Sequence, residues 1–100
     1  MNPTVRTQNA TVTAVASAAT ALASNKARIG FILQNLGTNP LFVKYGSGAT
    51  TSDFSVVLKG STVQDDGTGG VLSSADTAVY NGVVTIAGTS PRYSVTELAP

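Results

Sequence analysis

Between Asn25 and Gly46 the chain reads NKARIGFILQNLGTNPLFVKYG. This is two β-branched and aromatic runs separated by a cluster of turn formers. In the first run, Arg28 to Gln34, a period of two puts Ile29, Phe31 and Leu33 on one face, with Arg28, Gly30, Ile32 and Gln34 on the other. Gly37, Asn39 and Pro40 then suit a tight polar turn. In the second run Leu41, Val43 and Tyr45 oppose Phe42 and Lys44, and Gly46 ends it. The reading is two adjacent strands joined by a short turn, which places the chain in the all-β class.

The remaining segments extend that pattern. Thr11–Val15 and Thr20–Ser24 read as short strands, although the alanines between Ala14 and Ala23 also suit one short helix. In Phe54–Lys59, Phe54, Val56 and Leu58 alternate inward and Val57 outward. Thr62–Gln64 and Val71-Leu72 are short strand candidates, and Asp65–Gly70 is a glycine-rich loop. Asn81-Gly82 is a two-residue hairpin signal that would join Thr77–Tyr80 to Val83–Ala87. Arg92–Leu98 forms the last strand. About eight short strands separated by regular turns predict a single antiparallel β-sandwich or barrel, jelly-roll-like, over residues 10–100. Residues 1–9 (MNPTVRTQN) precede it as an extended arm.

Composition excludes several function classes. Only 11% of the 100 residues are charged and the net charge is +1, where a typical domain has about 25% charged residues. The basic residues Arg6, Lys26, Arg28, Lys44, Lys59 and Arg92 are scattered singly, so no nucleic-acid footprint is expected. The chain has no cysteine and no histidine. That removes disulfides, thiolate metal sites, and the commonest general base. Glu97 is the only glutamate, and Asp53, Asp65, Asp66 and Asp76 fall in apparent loops, so no enzyme activity is expected. Asp65–Gly70 fails as a calcium loop because its third and fifth positions are Gly67 and Gly69. Neither a cofactor nor a metal is expected. The run Ala10–Ala23 is too short for a membrane span and lacks the basic start of a signal peptide.

Ile32, Phe42 and Val57 are apolar residues at outward positions of their strands. Either the protein covers them with its own loops or second sheet, or they form a contact surface for other subunits. The aromatic residues lie within strands and read as core rather than as a stacking platform.

Thr20–Gly46 resembles a small β domain found among tailed-phage virion proteins. The resemblance rests on Ala21-Leu22-Ala23, on Asn25 with Arg28, on Phe31–Asn35, on Gly37–Pro40 and on Leu41–Gly46. Tyr80–Val84 and Arg92–Glu97 extend it. It implies a virion structural protein and, for a domain of this size, a capsid decoration or cement protein. Such a protein binds the outer capsid surface as a homotrimer and strengthens contacts between major capsid subunits. On that reading the partners are the major capsid protein and further copies of the chain, with no nucleic acid or membrane. Val5 and Arg6 in the arm, with Ile32, Phe42 and Val57, are the expected interface residues. A neck, tail or head-fibre adaptor is the alternative within the virion. A small receptor- or carbohydrate-binding module is the alternative of another class.

Overall fold

A computed structural model describes residues 6–7, 11–74 and 80–99. Nine strands lie among them: β1 (Arg6–Thr7), β2 (Thr11–Ala14), β3 (Ala18–Leu22), β4 (Gly30–Asn35), β5 (Leu41–Tyr45), β6 (Val56–Leu58), β7 (Val71–Ser73), β8 (Val84–Gly88) and β9 (Arg92–Ala99). They form two antiparallel sheets. In the first, β1 and β2 share one edge of β9, followed by β4 and β7; the second runs β3-β8-β5-β6. The pairs β2–β9, β3–β8, β4–β7 and β5–β6 are those of one long hairpin whose apex is the β5–β6 connection. Rolling that hairpin adds the lateral pairs β4–β9 and β5–β8 and closes a sandwich with jelly-roll order.

The core lies between the sheets and follows the period of two. Phe31 and Leu33 of β4 meet Leu41 and Val43 of β5, with Leu58, Val84, Ile86 and Tyr93 completing the buried set. Burying each large apolar side chain contributes roughly 1.5–3 kcal/mol, and this core stabilises a chain without disulfides. Thr11–Ala14 and Ala18–Leu22 are strands rather than parts of one helix, paired to β9 and β8 respectively. The second of them starts at Ala18 and ends at Leu22, two residues earlier than the sequence suggests.

Four sequence expectations need correction. β4 and β5 are not paired with each other. They lie in opposite sheets, so Leu36–Pro40 is an arch across the sandwich rather than a hairpin turn. Asn81-Gly82 does not adopt the positive φ of a type I′ turn, and β8 pairs with β3 and β5. The proposed partner segment of that hairpin lies, apart from Tyr80, outside the described residues. Thr62–Gln64 is loop. Arg28 is buried rather than outward-facing, because it sits in a turn before β4, where strand periodicity has not begun.

Two buried polar residues close the ends of the sandwich. At one end, Arg28 Nε donates to Glu97 Oε2 (2.8 Å), Nη1 to the carbonyls of Tyr80 and Gly82 (3.0 and 2.9 Å), and Nη2 to that of Ala23 (2.6 Å). Asn25 shapes the preceding turn: its Oδ1 accepts from Ala27 N, its carbonyl accepts from Arg28 N, and its Nδ2 donates to Glu97 Oε1. At the other end, Asn35 Nδ2 donates to the carbonyls of Asn39, Leu58 and Lys59, and its Oδ1 accepts from Gly37 N. One side chain thereby ties the arch to the strand that follows β5, satisfying backbone groups that a crossing between sheets would otherwise leave unpaired.

Candidate interaction surface

The outward positions of the two sheets differ in what covers them. On the second sheet, Phe42 and Val57 are directly paired across β5 and β6. Phe54 packs its ring on Phe42, with centroids 5.0 Å apart at 61°, a favourable edge-to-face geometry. Phe42 is half-buried, while Phe54 and Val57 are each 41% exposed. Further along this face the β5–β6 connection folds back over the sheet. Thr85 Oγ1 donates to the Gly46 carbonyl and accepts from Ala49 N, and Ala49 is buried. The chain's own loop therefore covers the Thr85 region and leaves Phe42, Phe54 and Val57 at the β6 edge.

Phe54 is not the inward residue that alternation suggests. Regular pairing of β6 begins only at Val56. At the preceding position Ser55 Oγ, not a backbone carbonyl, accepts from Tyr45 N, so the period of two does not reach back to Phe54. The aromatic flanking a serine at the strand start was the available signal.

Ile32 lies on the other sheet, on its outer face, paired to Thr96 on one side and Ser73 on the other, and it is 43% exposed. Val71 and Val12 are also exposed on this sheet. Val71 pairs with Gln34, Gln34 with Ser94 and Ser94 with Val12, so these four form one row. The surface there is hydroxyl, amide and methyl, with Arg92 at its margin. Ile32 is thus not part of one patch with Phe42 and Val57; the three residues mark two surfaces on opposite sides of the molecule. Of the arm, Val5 lies outside the described residues. Arg6 is placed by its backbone in β1, opposite Ala99 of the same chain.

Three ion pairs join charged groups among the described residues. Arg92 grips Asp65 through two parallel hydrogen bonds of 2.8 and 2.9 Å. That guanidinium holds the Asp65 carboxyl below the ordinary carboxylate range. Asp66 accepts from Val63 N, Thr68 N and Thr68 Oγ1, and the Thr68 bonds chiefly lower its pKa. The glycine-rich loop is therefore tied to itself and to β9. Lys44 pairs with Asp53 at 2.7 Å. Among the described residues no three acidic groups converge on a point that would hold a metal ion.

Two further features escaped sequence reading. Tyr45, expected in the core, is 40% exposed because it lies at the end of β5, stacked on Tyr80 at 4.9 Å and met edge-on by Phe31. An open groove separates the edges of β2 and β3, lined by Thr11, Thr13, Thr20, Leu22, Val95 and Glu97. Both Glu97 oxygens in this groove are already hydrogen-bonded, to Asn25 and Arg28. Comparison of the chain with protein-family models, with curated proteins and with solved structures returned no match.

Proposed function

We propose that this chain is a virion structural protein of the capsid decoration type, binding the outer surface of a phage head and reinforcing contacts between major capsid subunits. The observation that carries the reading is the pair of exposed, uncharged surfaces on opposite sheets: Phe42, Phe54 and Val57 on one, Ile32, Val71 and Val12 on the other. An element of a lattice must touch more than one neighbour, and two unlike faces on a rigid sandwich provide that. The resemblance of Thr20–Gly46 to tailed-phage virion domains supports it, as does a fold that capsid proteins share with lectins. Fold alone carries little functional weight.

The mechanism is mass action. A ligand that binds only the assembled, expanded shell stabilises it against rupture, and many weak contacts repeated over the lattice multiply the effect. On this reading the partners are the major capsid protein and, within a homotrimer, further copies of the chain.

Binding of the purified protein to expanded shells lacking it tests the proposal. Phe54→Ser with Val57→Ser, and separately Ile32→Ser with Val71→Ser, should each leave folding intact and reduce occupancy. Unchanged occupancy in both would refute the assignment of these faces. Deleting residues 1–9 tests Val5 and Arg6 in the same assay, with lower occupancy expected. The stacked, part-exposed Tyr45 and Tyr80 favour a second reading, a carbohydrate-binding module. Tyr45→Ala would then abolish glycan binding while sparing shell binding.

A further inference from the structure

Asn81-Gly82 is a strong motif in the sequence, yet it makes no hairpin and the proposed function does not use it. Its chemistry is distinctive. Gly82 has no side chain of its own to shield its N–H, although the Tyr80 ring lies against its Cα, and it follows an asparagine that is exposed. Among the described residues no hydrogen bond engages the Asn81 side chain or the Gly82 N–H. The other asparagines among the described residues are differently placed. Asn25 and Asn35 are hydrogen-bonded through both side-chain atoms, and Asn39 precedes Pro40, which has no N–H. The chain's one Asp-Gly, Asp66-Gly67, is capable of related ring closure, but three donors hold the Asp66 carboxylate.

We infer that Asn81-Gly82 is a spontaneous deamidation site whose isoaspartyl product releases the buried Arg28 clamp. Hydroxide removes the Gly82 amide proton, and the nitrogen attacks Asn81 Cγ. The bond from Cγ to the side-chain nitrogen breaks, and ammonia leaves with a proton from water. The resulting succinimide adds one water at either carbonyl. It opens to an aspartyl residue or to an isoaspartyl residue whose main chain runs through the former side chain.

The second product is the damaging one. Arg28 Nη1 is held by two carbonyls at once, those of Tyr80 and Gly82, at 3.0 and 2.9 Å, while the Asn81 carbonyl between them accepts from Asn25 N at 2.9 Å. An isoaspartyl link inserts one main-chain carbon between those two carbonyls and turns the intervening one outward. Both cannot then stay on the same nitrogen. A buried guanidinium that loses a partner is destabilising. Opening either way also adds one negative charge.

The test uses the intact protein, incubated folded at mildly alkaline pH. Trypsin then releases residues 60–92, a fragment with Asn81 as its only asparagine. The expected result is the mass increment of amide-to-acid conversion in this fragment, ahead of those holding Asn25, Asn35 and Asn39, with isoaspartate detected. The aged protein should melt about 5 °C or more below fresh protein. Asn81→Gln aged identically should keep its Tm, and Asn81→Asp, which has the charge without the extra carbon, should melt near wild type. The inference is overturned if the folded protein does not convert at Asn81 while denatured protein does, or if the isoaspartyl form melts like fresh protein.

Discussion

Arg28 shows how one residue organises parts of the chain that are distant in sequence. Its guanidinium reaches Ala23, Tyr80, Gly82 and Glu97, and its side chain has no solvent exposure. A planar fork with five donors matches this set of oxygens, which a lysine ammonium does not. Arg28→Met leaves three carbonyls and one Glu97 oxygen without their Arg28 donor, so urea denaturation should show a loss on the order of 3 kcal/mol or more. Glu97→Gln should cost less, about 1 kcal/mol, because the Glu97 side chain is a quarter exposed and three carbonyls still hold Arg28. A larger loss for Glu97→Gln than for Arg28→Met would contradict the assignment of the backbone carbonyls as the main partners.

At the scale of elements, the arch Leu36–Pro40 depends on close backbone approach. A Cβ on Gly60 would collide with the Thr38 carbonyl and one on Gly69 with the Asn35 carbonyl. Gly69→Ala should therefore lower Tm more than Gly67→Ala does, since the Gly67 position is open even though its φ of 83° favours glycine; equal losses would place the strain elsewhere. This is where sequence reading reached its limit. The inward faces of β4 and β5 were legible, because Phe31, Leu33, Leu41 and Val43 keep a strict period of two. Which strand each one pairs with was not, because alternation is the same in a hairpin and in an arch. Asn35 carried the missing information: a buried amide at a strand end bonds to both sheets, and only its surroundings reveal that. The outward residues Ile32, Phe42 and Val57 were legible as anomalies. Their division between two sheets followed from pairing, and Phe54 joined them only because strand alternation stops at Ser55.

For the whole molecule, low charge and scattered ion pairs set the response to pH. Asp65 and Asp66 titrate below their ordinary value of 3.8 in the folded chain. The folded state binds fewer protons there than the unfolded one. The stability from these groups is thus complete above 3.8 and lost as pH falls through the folded values. Burial raises Tyr93 and Tyr45 above 10.0, so the folded chain holds protons that the unfolded chain releases, and stability falls as pH rises past 10.0. With no histidine, Tm should be nearly flat between these limits; a step near neutral pH would reveal a group this account omits. The same uncharged surfaces that flatten the profile are proposed to meet the capsid on one sheet and a neighbour on the other. The most direct test is to locate the protein in intact particles and count its copies against the major capsid protein. A number of the same order, spread over the head surface, is the predicted result. A small fixed number confined to one vertex or to the tail would contradict the account.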